Sequence, residues 1–263
     1  MSESGIRFGL QSRVCLVTGA AQGIGRACAE RFAVEDAQLA LVDVDDTRGE
    51  ALADELRRQG HRAVYLHGDV GDKPQVDAVV ARVLAEFGRI DVLVNNAGIV
   101  RSSDFLDMSE EDFDAVLRIN LKGSFLMGQA VARAMAGAGG GAIVNMSSVN
   151  GVMAIPTIAA YNVSKGGVNQ LTRVMALALV DKGIRVNAVA PGTIATELAK
   201  SAVLGSEDAR QRVLGRTPMK RLGTPAEVAD VVAWLASDAA SYVTGEIVYV
   251  DGGRLTLNYT VPL

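Results

Sequence analysis

The chain has 263 residues, 49% of them hydrophobic, 21% charged and 5% aromatic. That composition supplies the core of a large α/β domain and excludes a disordered chain. A net charge of −4 with dispersed Lys and Arg excludes a basic nucleic-acid face, and no apolar stretch approaches the roughly 20 residues of a membrane helix.

Seven short apolar runs, at 13–18, 38–43, 63–67, 91–94, 142–147, 184–190 and 247–250, alternate with amphipathic segments at 24–34, 46–59, 74–87, 110–136, 158–180 and 226–236. This alternation predicts one doubly wound, seven-stranded parallel sheet with helices on both faces. No Pro-, Gly- or Ser-rich linker interrupts it, so 1–263 reads as a single domain with its core at about 11–253. Residues 194–215 are polar and irregular, long enough to cover a substrate, and a tail at 254–263 follows the last strand.

The first strand runs into Thr18-Gly19-Ala20-Ala21-Gln22-Gly23-Ile24-Gly25 and then a helix. Glycines there let the backbone turn sharply and approach a pyrophosphate at the helix N-terminus. The second strand ends at Asp43, whose carboxylate suits the hydroxyls of an adenosine ribose and repels a 2′-phosphate. No Lys or Arg lies in the glycine loop, and Val44 follows Asp43. The expected cofactor is therefore NAD. Tyr161 and Lys165 stand four apart on one face of a predicted helix, with Ser148 at the end of the fifth apolar run. An ammonium group beside a phenol favours phenolate, which equips tyrosine as an acid or base near neutral pH.

With Asn95-Asn96-Ala97-Gly98 at the end of the fourth strand and Asn120 in the helix after it, the chain resembles the classical short-chain dehydrogenase/reductase family from about Gln11 to Gly253. The resemblance implies a Rossmann fold and a catalytic tetrad of Asn120, Ser148, Tyr161 and Lys165. It implies cofactor contacts at Gly19, Gln22, Gly23, Ile24, Gly25, Asp43, Asp69, Val70, Asn96, Ala97 and Gly98. At the nicotinamide end it implies Tyr161, Lys165, Pro191, Gly192, Ile194 and Thr196. In such enzymes Tyr161 exchanges the alcohol proton, Ser148 holds the substrate oxygen, Lys165 serves the tyrosine and the nicotinamide ribose, and Asn120 holds a water that links Lys165 to solvent.

The expected reaction is hydride transfer between NAD(H) and a secondary alcohol or ketone. Asn150, Val152 and Thr157, with Glu197 and Lys200, suit a small polyol or sugar. The alternatives are an NADP-linked carbonyl or 3-oxoacyl reductase and a non-catalytic NAD-binding regulator. His61 and His67 are the only histidines, and neither joins a ligand cluster, so no metal site is expected. Cys15 and Cys28 read as core thiols of a cytoplasmic protein, without a disulfide. Segments 110–136 and 158–180 are apolar on more than one face, which predicts burial between subunits, and family members commonly form homotetramers through these helices. The tail is expected to cross a subunit interface.

Overall fold

The computed structural model describes residues 5–197, 199 and 207–258. Seven strands form its sheet: β1 (Val14–Thr18), β2 (Gln38–Asp43), β3 (Ala63–His67), β4 (Val92–Asn95), β5 (Gly141–Met146), β6 (Ile184–Pro191) and β7 (Ile247–Val250). They pair in parallel in the order β3-β2-β1-β4-β5-β6-β7. The expected seven-stranded α/β architecture is present.

Parallel neighbours need crossovers, and helices supply them. These are α1 (Gly23–Val34), α2 (Asp46–Arg58), α3 (Lys73–Phe87), α4 (Glu110–Leu117), α5 (Gly123–Gly137), α6 (Ala159–Leu179), α7 (Glu207–Leu214) and α8 (Pro225–Ala236). Successive side chains of β1 enter opposite cores. Cys15 and Val17 meet Phe32 of α1, Leu56 of α2 and Val232 of α8 on one face. Val14 and Leu16 meet Val83 of α3, Val131 of α5 and Met175 of α6 on the other. Burial on both faces is why the strands read as continuous apolar runs. The chain reverses direction across the sheet between β1 and β4, and the crevice at such a switch is where open α/β sheets bind ligands.

The predicted helix at 110–136 is interrupted. Arg118–Lys122 forms a π-helical turn between α4 and α5, and Asn120 lies within it, buried. Its side chain is taken by groups outside its own helix: Oδ1 accepts from Ile99 N at 2.8 Å, and Nδ2 donates to Ile99 O at 3.0 Å and Ser164 Oγ at 3.1 Å. A π-turn is the local rearrangement that lets a helix present one residue this way. Within the segment 194–215, Glu207–Leu214 forms α7.

Buried amides and hydroxyls tie α5, β4, β5 and α6 together. Asn95 Nδ2 donates to Ser124 O at 3.2 Å and to Asn145 Oδ1 at 2.9 Å, and Asn145 Nδ2 donates to Thr172 Oγ1 at 2.9 Å. Beside them Ser147 Oγ donates to Asn169 Oδ1 at 2.6 Å. Asn187 Nδ2 donates to Val243 O, and its Oδ1 accepts from Glu246 N. Replacing Asn145 with Ala strips a partner from both Asn95 and Thr172 in the core. Urea unfolding should show a loss of about 2 kcal/mol or more, against little change for exposed Asp181→Ala.

Candidate active site

β1 ends at Thr18, and the chain enters α1 through Gly19 and Gly23, whose φ angles are +63° and +58°. A Cβ on Gly19 would lie 2.8 Å from Ala97 Cα, and one on Gly25 would lie 2.0 Å from Gly19 O. Both positions therefore require glycine. Asn96 Nδ2 donates to Thr18 O and Gly19 O at 3.0 and 2.9 Å, while Thr18 Oγ1 accepts from Asn96 N and Ala97 N. The turn after β4 thus fixes the shape of the loop after β1. Gln22 precedes α1 without a side-chain cap, and the first turn of α1 holds no acid. Unsatisfied N–H groups of this kind, in a cradle that a Cβ would fill, fit a diphosphate. Thr196 closes the far side, its methyl 3.4 Å from where a Cβ on Gly23 would stand.

At the adenosine end Asp43 is engaged in its own turn. Oδ2 accepts from Ala21 N at 2.9 Å, and Oδ1 accepts from Val44 N and Asp45 N. The carboxylate thereby fastens the glycine loop to the end of β2. A cation reaches the glycine loop from outside it. Arg48, in the first turn of α2, donates from Nη1 to Gln22 Oε1. Asp69 accepts from Arg118 Nη1 at 2.7 Å and from Gly71 N at 2.8 Å. Burial pushes the Asp69 carboxyl up, but these partners outweigh it and its pKa is lowered. Val70 is buried, against Gly123.

The reacting end is assembled from the C-terminal edge of β5 and the first two turns of α6. Ser148 follows β5, and its Oγ accepts from Asn150 N at 3.2 Å. Tyr161 stands in the first turn of α6, where the Ser148 hydroxyl acts to lower its pKa. Lys165 Nζ lies 5.4 Å from the centre of the Tyr161 ring and donates to Met146 O at 2.7 Å. Ser164 Oγ donates to Tyr161 O at 2.7 Å and accepts from Asn120. Asn120 therefore reaches α6 through Ser164, and its backbone O accepts from Ser124 Oγ.

Pro191 closes β6, Gly192 N donates to Val250 O, and Ile194 forms a bridge with Gly223. Of the expected substrate residues, Asn150 is buried, Val152 is exposed, and Thr157 accepts from Ser103 N through its backbone O. Lys200 lies outside the described residues. Ser103 brings the loop after β4 to this rim, followed by Phe105 and Leu106, which are 74% and 94% exposed. The one sequence signal of this pair is a Phe-Leu step inside a polar stretch.

A family model described as enoyl-(acyl carrier protein) reductase matches residues 19–254 of this chain. The chain belongs to the short-chain dehydrogenase/reductase family. A 3-oxoacyl-[acyl-carrier-protein] reductase of Thermotoga maritima is 43% identical over 244 residues, covering 93% of this chain and 98% of its own. A D-threitol dehydrogenase of Mycolicibacterium smegmatis is 43% identical over 249 residues, covering 94% of each chain. The solved structure of a gluconate 5-dehydrogenase from Burkholderia cenocepacia in complex with NADP and tartrate is 37% identical, with a TM-score of 0.92 over 95% of this chain and 98% of that one. This short-chain dehydrogenase/reductase is an oxidoreductase of alcohols and ketones with a nicotinamide-nucleotide fold. Among the described residues, no group of acids, histidines and cysteines is arranged to hold a metal, and no helix is long and apolar enough to cross a membrane. Both cysteines are free and buried.

In this short-chain dehydrogenase/reductase, burial pushes the Tyr161 phenol up, and the hydrogen bond with Ser148 pulls it down. Burial lowers Lys165 itself to about 8. Since its folded pKa lies below the unfolded value, the penalty for burying the ammonium is full below about pH 8 and vanishes above about pH 10.4. Unfolding free energy of the wild type relative to Lys165→Met should therefore rise across that window, by up to about 3 kcal/mol. Denaturant melts of the two proteins from pH 7 to pH 10 check the sign.

Proposed function

We propose that this enzyme passes a hydride between NAD(H) and the carbinol carbon of a small secondary alcohol or its ketone, with a polyol or sugar-type substrate favoured. The observation that carries the reading is the placing of Lys165, buried one turn along α6 from Tyr161 with its Nζ 5.4 Å from the centre of that ring and bonded to Met146 O at the end of β5, beside Ser148. The nicotinamide, when bound, accepts the hydride from the alcohol or returns it to the ketone. Tyr161 Oη takes the hydroxyl proton in oxidation and gives it back in reduction. Ser148 Oγ holds the substrate oxygen within reach of that phenol. Lys165 has three donors, and one is committed to Met146 O, which leaves two for the ribose hydroxyls. Asn120 sets the position of α6 through Ser164.

Residues 19–25 with Asn96, Ala97 and Gly98 would hold the diphosphate end. Asp43, Asp69 and Val70 would hold the adenosine, and Pro191, Gly192, Ile194 and Thr196 the nicotinamide end. Asp43 supports NAD because a carboxylate there repels a 2′-phosphate. The second reading, an NADP-linked carbonyl reductase, is favoured by Arg48, whose guanidinium stands at the glycine loop through Gln22. The NAD reading expects kcat/KM with NAD to exceed that with NADP at least about ten-fold, a difference of about 1.4 kcal/mol. Asp43→Asn should shrink this ratio and Arg48→Ala should enlarge it. A wild-type preference for NADP would overturn the choice.

The substrate class is tested by NADH formation at 340 nm across polyols, sugars, hydroxy acids and simple alcohols. Tyr161→Phe should abolish turnover while nucleotide binding, followed by fluorescence, persists. Ser148→Ala removes the hydrogen bond that lowers the phenol, so the rising limb of the pH profile for oxidation should move to higher pH. An unmoved limb would separate Ser148 from the acid/base step.

The assembly we propose is a homotetramer of a cytoplasmic enzyme. Phe125 of α5 and Val163, Val174 and Leu177 of α6 are 43%, 52%, 63% and 82% exposed, an apolar surface suited to a second copy. Light scattering should return four times the 27.5 kDa chain mass, and Leu177→Glu should reduce it.

A further inference from the structure

The turn that follows β7 buries a guanidinium nitrogen that has no acceptor among the described residues. Asp251, Gly252 and Gly253 reverse the chain, with φ angles of +64° and +87° at the two glycines, and Arg254 is drawn inward to 8% exposure. Its Nε is fully buried and finds no acceptor. The nearest acid in sequence does not serve it, since Asp251 Oδ1 accepts from Gly253 N at 2.8 Å and Oδ2 from Leu255 N at 2.7 Å. A second cation is close. The segment beginning at Arg216 lies over the turn: Met219 N donates to Gly252 O at 3.1 Å, and Pro218 is 3.1 Å from where a Cβ on Gly253 would stand. Burial first, and the Arg216 charge second, hold Arg254 below the ordinary arginine pKa.

A buried guanidinium nitrogen without an acceptor, beside a like charge and offset only by the charge of Asp251, is unfavourable, and an oxyanion would relieve it. The location is on the ligand-binding edge of the sheet. Asp251 Cα lies 2.8 Å from where a Cβ on Gly192 would stand, and the segment carrying Arg216 continues to Gly223, which pairs with Thr193 and Ala195. β7 stands two strands from β5, about 10 Å across the sheet. An arginine side chain and a hydroxy acid of several carbons together span that gap. We propose that Arg254 and Arg216 form an oxyanion subsite that takes the carboxylate of a small hydroxy-acid substrate whose alcohol carbon lies at Tyr161. The substrate assignment rests on the alcohol-dehydrogenase reading above; the subsite itself does not.

Gluconate, its neutral counterpart glucitol and inorganic phosphate are the probes, used on the full chain first without nucleotide and then in the NAD- or NADP-linked assay. Gluconate should raise the melting temperature and glucitol should not. Arg216→Ala, on an exposed residue, should abolish that shift. Arg254→Met should do the same without lowering the melting temperature of the unliganded protein, which a structural arginine would not allow. The ratio of kcat/KM for gluconate to that for glucitol should fall about ten- to a hundred-fold in either variant. Lys182→Ala, at the opposite edge of the sheet, should leave the ratio alone.

No thermal shift with gluconate, or an equal shift with phosphate, overturns the carboxylate subsite. So does a change in assembly mass in the variants with the gluconate shift intact, which would assign the arginines to another copy of the chain. An Arg-dependent gluconate shift without turnover of either compound keeps the subsite and removes the dehydrogenase reading for these substrates.

Discussion

The seating of α6 on the sheet is the constraint on which the site depends. Tyr161 and Lys165 have no fixed relation to Ser148 unless the helix and β5 hold a single register. Hydrophobic packing alone would tolerate a slide, because Leu171, Met175 and Ala176 meet a surface of similar aliphatic groups. The polar contacts do not tolerate it. Thr172 meets Asn145, Asn169 meets Ser147 and Ser164 meets Asn120, so three hydroxyl–amide pairs lie along one face of the helix. A displacement of one residue would leave several of these groups buried and unpaired, at about 1–3 kcal/mol each. The hydrogen-bonded ladder thereby converts a greasy interface into a located one.

The π-turn belongs to the same constraint. Asn120 sends its side chain out of the α4–α5 helix to join Ile99, in the loop after β4, to Ser164 on α6. Three segments distant in sequence meet through one amide, and the helix yields one irregular turn to supply it. Ser164 then passes the contact to the backbone carbonyl of Tyr161. The amide acts on the tyrosine by placing its helix.

Much of this was legible in sequence because the signals were local or periodic. The strands announced themselves as apolar runs, and all seven stand within a residue of their expected positions. The glycines at 19, 23 and 25 declared a turn that nothing larger could make. What escaped depended on neighbours brought together by folding. Arg48 stands far from Gln22 in sequence, and only the return of α2 beside α1 joins them. The interruption at 118–122 left no mark, since Arg118, Ile119 and Leu121 are ordinary helix residues. Asp43 was legible as an acid at a strand end, but its contact with Ala21 gives it a structural duty whichever nucleotide is bound. A carboxylate in that place is therefore weaker testimony for NAD than its position in sequence suggested.

The electrostatics of the reacting pair follow from the same burial. Desolvation raises Tyr161 and lowers Lys165 to about 8, so the surroundings press both toward their neutral forms and against a phenolate–ammonium pair. Ser148 is the group that opposes this at the phenol. A neutral phenol is a proton donor, the state that ketone reduction requires, whereas alcohol oxidation must first create the phenolate. On the proposed mechanism, the raised phenol suits reduction at neutral pH, and oxidation is the direction that gains as pH rises. Lys165 gains nothing from the phenol until the phenol ionises, so its attraction is felt as charge develops. An interaction that strengthens along the reaction, and is weak in the resting site, is one that lowers a barrier.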